Sequence, residues 1–227
     1  MQLIVAEKPS VARDIARTLG VPARGSGAFR GDRHVITWCL GHLVELDEPA
    51  SYEPAWKRWS LDTLPMLPER FKLRAVRSSF AQWKVVRELL RSRDFSEVVN
   101  ACDAGREGEL IFRLCYDLAG SRLPARRLWV SSLTDTALKS GFAKLRPARE
   151  YDPLAEAARC RSEADWLVGL NATRAFTVRN RGASSALLSI GRVQTPTLAM
   201  VVVRERAIRA FVPTMLAMML QRPDFAS

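Results

Sequence analysis

The 227 residues carry 35 Lys plus Arg against 24 Asp plus Glu, a formal charge of +11, with 48% hydrophobic and 26% charged content; this is ordinary globular composition, enough for one large or two modest domains. No stretch is apolar for long enough to span a bilayer, and Glu7 and Lys8 follow the first apolar run too closely for a secretory signal, so a cytoplasmic chain with no membrane partner is expected. Only six of the cations are lysines, and such an arginine-rich surplus points to a phosphate polymer as partner, although charge alone does not separate DNA, RNA and anionic membrane, and arginine could simply be the composition-favoured surface cation.

In chain order, Leu3 to Ala6 reads as a short strand ending in Glu7 and Lys8, and Pro9 and Ser10 open a helix to Leu19. His34 to Cys39 reads as a second strand, followed by Gly41-His42-Leu43. The proline-bearing loop from Asp47 to Trp59 sets Trp56 and Trp59 beside Lys57 and Arg58. An exposed aromatic next to cations can stack an unpaired base while its phosphate is held. Trp59 is the preferred stacking residue, and the alternative, that these tryptophans cover a sheet face, is as good for Trp56.

A helix from Ser79 to Arg91 leads to the strand Glu97 to Ala101, where the apolar run stops at Asp103-Ala104-Gly105-Arg106-Glu107-Gly108-Glu109 and resumes with helical spacing to Leu118. Arg127 to Trp129 is a further strand and Thr134 to Lys144 a further helix. Alternation of this kind over residues 1 to about 150 predicts an α/β domain with a largely parallel sheet flanked by helices. From Tyr151 to Asn180 the pattern is purely helical, and a second long helix starts after Pro196. A helical second domain over 151–213 is therefore expected, with 214–227 beyond it.

Acids at the carboxyl ends of strands in an open α/β sheet stand where such sheets bind ligands, and carboxylate oxygens are what Mg²⁺ prefers. If the first strand neighbours the one ending at Ala101, then Glu7, Asp103 and Glu107 converge with Lys8 beside them, a phosphoryl-transfer constellation. The plainer reading makes Asp103 a helix cap and Glu107 and Glu109 solvated first-turn acids. Further on, Trp166, Arg174 and Arg181 are spaced by eight and seven residues, roughly one helix face. The turn Ser189-Ile190-Gly191-Arg192-Val193-Gln194 offers backbone donors, a cation and an amide, suited to phosphate and sugar without reading sequence.

Five segments together resemble the type IA DNA topoisomerases, in the topoisomerase III branch: Glu7-Lys8-Pro9-Ser10, Gly41-His42-Leu43, Asp103 to Glu109, Arg161 to Ala175 with its Ala164-Asp165-Trp166, and Ser189 to Thr197. The first three are similar to that family's Toprim domain and the last two to the start of its next, helical domain. The resemblance implies ATP-independent breakage, passage and rejoining of single DNA strands through a phosphotyrosine, with Mg²⁺ as cofactor. It implies Glu7 in proton transfer at the leaving 3′ oxygen, Lys8 steadying the scissile phosphate, and Glu7, Asp103 and Glu107 holding metal. His42, Trp59, Trp166, Arg174, Arg181 and Ser189 to Gln194 would contact single-stranded DNA.

The sequence departs from the family pattern in three places. Gly105 stands where the usual Asp-x-Asp has its second acid, leaving a weaker set of ligands. None of Tyr52, Tyr116 and Tyr151 has the Tyr-Pro-Arg-Thr setting of the family nucleophile, and the tail after Pro213 looks foreign. The expectation is a truncated topoisomerase III-like chain, inactive alone, that lacks carboxyl-terminal domains; the alternatives are a non-catalytic DNA-binding module, an inert remnant, or another Toprim enzyme such as a primase or nuclease. Cys39, Cys102, Cys115 and Cys160 are too widely spaced for zinc pairs and are expected to be mostly buried thiols.

Overall fold

The computed structural model describes residues 1–182 and 186–212; the tail expected to diverge, 214–227, lies outside them. The chain runs β1 (Gln2–Ala6), α1 (Pro9–Leu19), β2 (Ala28–Arg30), β3 (His34–Trp38), β4 (Val44–Leu46), α2 (Pro49–Tyr52), β5 (Leu73–Ala75), α3 (Phe80–Arg91), β6 (Glu97–Ala101), α4 (Arg106–Ala119), β7 (Ala125–Arg127), α5 (Asp135–Ala143), β8 (Arg146–Pro147), α6 (Asp152–Arg179) and α7 (Gln194–Arg209).

Six strands form one sheet in the order β2-β3-β1-β6-β7-β8, with β4 and β5 paired apart from it. The four inner strands are parallel and the two edges antiparallel. This is the mixed, mostly parallel sheet flanked by helices that the alternating pattern predicts. β1 is apolar along Leu3, Ile4, Val5 and Ala6 because both its faces are covered. Leu3 and Val5 join Trp83, Val86 and Leu90 of α3 and Phe112 and Leu114 of α4. Ile4 and Ala6 face the other way, onto Ala12 and Ile15 of α1 and Leu138 of α5.

The order of the strands decides where a ligand can sit. From β1 the chain crosses to β3 on one side, then passes over to β6 on the other, so the sheet reverses its winding between β1 and β6. Ala6 and Ala101 are register partners at the carboxyl ends of those two strands. The crevice that such a reversal opens is where doubly wound sheets take their ligands, and Glu7 and Asp103 stand on its two lips.

α6 is anchored in the first core by Ala158, while α7 has no buried residue among those described. Four strands, β2, β4, β5 and β8, escape the sequence pattern because two or three residues are too few to establish alternation. The strand expected at Arg127 to Trp129 ends at Arg127: Leu128 still donates its N–H to the Asn100 carbonyl, 3.0 Å, and the chain then leaves the ladder. α7 begins at Gln194, three residues earlier than expected, because a proline is tolerated in the first turn of a helix, where no N–H is needed.

Candidate functional site

β1 and β6 deliver their acids side by side. The Asp103 N–H donates to Glu7 Oε2 at 3.1 Å, so one strand exit is hydrogen-bonded to the other. Lys8 Nζ lies 3.5 Å from Glu7 Oε1 and 3.8 Å from Asp103 Oδ2. Glu7 is buried, whereas the Asp103 side chain is 57% exposed and that of Lys8 54%. The pair thus presents negative charge at the rim of the crevice with one cation drawn between its members.

Glu107 is not gathered into that pair. Its Oε1 meets His42 Nε2 at 2.5 Å, tying the first turn of α4 to the loop after β3. Among the described residues no three His, Cys, Asp or Glu side chains form a ready-made metal cage. Two carboxylates with water completing the shell remain compatible with Mg²⁺, which usually keeps several waters.

The cap reading of this turn does not survive. α4 starts at Arg106 with Gly105 at its cap position, and no side chain caps it. Glu109 is not a solvated acid either, being fully buried. Its Oε2 accepts from Asn100 Nδ2 at 2.9 Å and lies 3.1 Å from Arg127 Nε, and its Oε1 accepts from Arg113 Nε at 2.9 Å. Arg127, also fully buried, donates from Nη1 to the carbonyls of Asn100 (3.0 Å), Cys102 (2.7 Å) and Leu128 (2.9 Å), and from Nη2 to that of Asp103 (2.6 Å). Burial pushes its pKa down while Glu109 opposes the shift.

The acidic turn therefore hangs from a guanidinium beneath it. Gly108 completes the fit, since a Cβ there would stand 2.2 Å from the Asp103 carbonyl oxygen. Sequence reading missed Arg127 and the burial of Glu109; Arg127 follows another arginine and Glu109 another first-turn acid, so nothing local sets either apart from a surface charge.

A family model described as the Toprim domain matches residues 2–133. The chain belongs to the Toprim family. A second model, described as DNA topoisomerase, matches residues 149–216. DNA topoisomerase 3 of Bacillus cereus (strain ATCC 10987 / NRS 248) is 50% identical over 209 residues, covering 92% of this chain and 28% of the relative. DNA topoisomerase 3 of Bacillus subtilis (strain 168) is 48% identical over 211 residues, 93% of this chain and again 28% of the relative. Full-length topoisomerase I from Thermotoga maritima shares the fold, with TM-score 0.60, 22% identity, and coverage of 93% of this chain and 31% of that one. The chain is a topoisomerase III-like Toprim protein of type IA that spans 28% of the length of these curated relatives.

In this Toprim protein a cavity of ≈ 680 Å³ runs from His42 past Trp59 and Trp166 to Ser189 and Ile190. A smaller one, ≈ 180 Å³, lined by His42, Arg106, Glu107 and Arg161, adjoins it toward the acidic turn, and the two share His42, Ser162 and Asp165. The Ser189 to Gln194 turn is fastened to α6 by Thr173, which accepts from the Ile190 N–H at 2.9 Å and donates to its carbonyl at 3.1 Å. Gly191 N–H donates to Thr195 Oγ1 at 3.0 Å, and Arg192 Nε lies 2.9 Å from Asp165 Oδ1. Val193 is exposed and Gln194 opens α7.

The strip of Trp166, Arg174 and Arg181 along one face is corrected. α6 ends at Arg179, so Arg181 lies past its carboxyl end and is exposed. Arg174 is buried, at 7% exposure: its Nη1 donates to the Trp56 carbonyl at 2.5 Å and its guanidinium lies 5.1 Å from the Trp59 ring centre. The side chain anchors the tryptophan loop rather than pointing outward. Trp166 packs edge-on against Tyr52 and Phe71 and donates Nε1–H to the Asp47 carbonyl at 3.0 Å.

Each tyrosine has a packing role. Tyr52 O–H donates to the Lys72 carbonyl and its oxygen accepts the Lys72 N–H, Tyr116 O–H donates to the Leu123 carbonyl, and Tyr151 stacks on Trp129 at 4.9 Å. Cys39, Cys102 and Cys115 are buried as expected and Cys160 is exposed. The fold brings Cys39 and Cys115 to a Sγ separation of 4.0 Å, and hydrogen bonds from Cys102 and Cys115, with burial, push the Cys39 thiol well above its ordinary value. No described helix is long and apolar enough to cross a membrane.

Proposed function

We propose that this chain binds single-stranded DNA and, with Mg²⁺, supplies the phosphate-handling half of a type IA strand breakage and rejoining reaction. The observation that carries the reading is the meeting of Glu7, Lys8 and Asp103 at the sheet's reversal point, adjoining a groove with two tryptophans. Residues 151–213 would serve as the strand-binding portion, with His42, Trp59, Trp166 and the Ser189 to Gln194 turn lining the path.

Lys8 is a compact cation with freedom to turn toward a phosphate entering the crevice. Glu7, buried and oriented by the Asp103 N–H, is placed to give or take a proton at an oxygen held there. Glu7 and Asp103 would hold Mg²⁺, with Glu107 joining only if it leaves His42. When bound, the ion would neutralise phosphate charge. The nucleophile of such a reaction is a tyrosine hydroxyl, and Tyr52, Tyr116 and Tyr151 are all engaged in packing, so a tyrosine from elsewhere would complete the site.

The purified 227-residue chain is expected to bind single-stranded oligonucleotides with an affinity that falls steeply with salt, and to leave supercoiled DNA unrelaxed. Relaxation by the chain alone would overturn the half-site reading. Mg²⁺-dependent nicking with no protein left covalently attached would favour a nuclease instead.

A further inference from the structure

A third cavity, ≈ 390 Å³, lies beside the acidic turn and belongs neither to the acidic site nor to the tryptophan groove. Its walls come from the chain leaving β7, with Trp129, Ser131 and Ser132, and from the end of α5 and the residues after it, with Ser140, Lys144 and Arg146. β7 runs parallel to β6, so this chain emerges at the same edge of the sheet as Asp103, one strand over. Adjacent strands are about 4.8 Å apart, and even a stacked nucleic-acid strand rises about 3.4 Å per nucleotide, so a strand seated at Asp103 passes the cavity within a few nucleotides.

The chemistry of the walls is that of an anion site. Between Trp129 and Pro147 there are three cations, Lys139, Lys144 and Arg146, and one acid, Asp135. That acid is turned away: Asp135 Oδ1 accepts from Thr18 Oγ1 at 2.8 Å and from Arg17 Nη2 at 3.4 Å, bonds that hold its pKa below the ordinary value. Lys144 and Arg146 are exposed, and among the described residues neither forms an ion pair. Ser131, Ser132 and Ser140 are exposed as well and add hydroxyl donors.

The walls are also fixed in place. A Cβ on Gly141 would stand 2.6 Å from Val130 Cγ1 and 2.8 Å from Leu128 Cδ1, so the bare glycine lets α5 close on the β7 exit. Trp129 has Tyr151 stacked at 4.9 Å and the Arg127 guanidinium 5.0 Å from its ring centre. With its ring so occupied, Trp129 is a wall and not a base-stacking platform, and through Arg127 it is joined to the carbonyl of Asp103.

We propose that this cavity binds a backbone phosphate of the DNA strand on the side of the acidic turn away from the tryptophan groove, gripping it with Lys144, Arg146 and the serine hydroxyls. The site deepens the function proposed above and rests on DNA being the ligand. It extends the strand path across the Toprim sheet, so the DNA is held on both sides of Glu7 and Asp103.

The test is equilibrium binding of the full chain to a length series of oligo-dT, comparing the wild type with the double variants Lys144→Glu/Arg146→Glu and Lys144→Gln/Arg146→Gln, and with Arg192→Ala as a lesion in the other part of the path. Both double variants should weaken binding to long oligonucleotides, by about tenfold for the charge reversal, and should flatten the salt dependence by about 0.7 in log–log slope for each phosphate no longer neutralised. The penalty should disappear for oligonucleotides too short to reach from the groove to the cavity. Unchanged affinity and slope in the double variants, with Arg192→Ala still weakening binding, would overturn the cavity and leave the DNA-binding reading standing. No binding by the wild type would overturn both.

Discussion

Arg127 and Glu109 form a fully buried ion pair, Nε to Oε2 3.1 Å, directly under the acidic turn. Glu109 has a second guanidinium in Arg113, and Arg127 spends its remaining donors on backbone carbonyls, among them those of Cys102 and Asp103. The pair is therefore a frame for the turn, fixing where Asp103 stands relative to Glu7.

Replacing Arg127 by Met is expected to cost about 3–5 kcal/mol, since it strips one counter-charge from a buried carboxylate and orphans buried carbonyls. Arg127→Lys keeps the charge but lacks the planar fork that serves several carbonyls at once, so it should recover part of the stability. Urea denaturation of the three proteins measures both effects. Equal stability of Arg127→Met and wild type would show that the frame is dispensable.

Gly105 occupies the position where the family pattern has a second acid, and the structure gives that position unusual freedom. Its φ of 178° is extended backbone open to any residue, and nothing lies within 4 Å of a Cβ built there. Gly105→Asp should therefore fold without strain and add a carboxylate near Asp103, raising Mg²⁺ affinity several-fold in titration calorimetry. Metal-free stability should change by only a few tenths of a kcal/mol, as expected when Gly at a helix cap is exchanged for Asp. Unaltered Mg²⁺ affinity would mean that Asp103 and Glu7 do not hold the ion.

How much of the fold and site is legible in the sequence depends on the range of the interaction. The strand–acid–helix passages at Glu7 and Asp103 are readable because apolar runs ending at charged residues are local signals. Their meeting follows once β1 and β6 are taken as neighbours, which the ladder has at Ala6 and Ala101. The Arg127 frame is not readable, because its partners other than the Leu128 carbonyl lie 18 to 27 residues away in sequence and nothing local distinguishes a buried arginine from a surface one in a chain so rich in them. Arg174 fails for the same reason: helical spacing gives a face, and only packing says whether that face is covered. Spacing places Glu107 with the metal acids, whereas its bond to His42 depends on a loop that follows a different strand.

His34, the first residue of β3, has its pKa lowered, first by burial and then by the nearby charges of Arg33 and the amino terminus. The folded state thus binds this proton less readily than the unfolded chain, whose histidine titrates near 6.5. Between the folded and unfolded values the unfolded state holds more protons, so stability rises with pH across that window. The His34 contribution is intact above about pH 6.5 and declines as the pH falls toward the folded value. His34→Gln should flatten the stability profile between about pH 5 and 7, and an unchanged slope would place the titration elsewhere.

Trp59 and Arg174 make separable predictions about DNA. Trp59 lines the large groove, so Trp59→Ala should weaken single-strand binding by the about 1–3 kcal/mol that one stacked base is worth. Arg174 is buried, bonded to the Trp56 carbonyl and lying over the Trp59 ring, so it acts on DNA through the position of that ring. Arg174→Ala should then weaken binding comparably while leaving the salt dependence as it was, because every phosphate keeps its cation. Arg192→Ala, on the exposed turn, should flatten the salt dependence instead. A flattened slope for Arg174→Ala would mean that its guanidinium turns outward to meet the strand, and would restore it as a direct phosphate ligand.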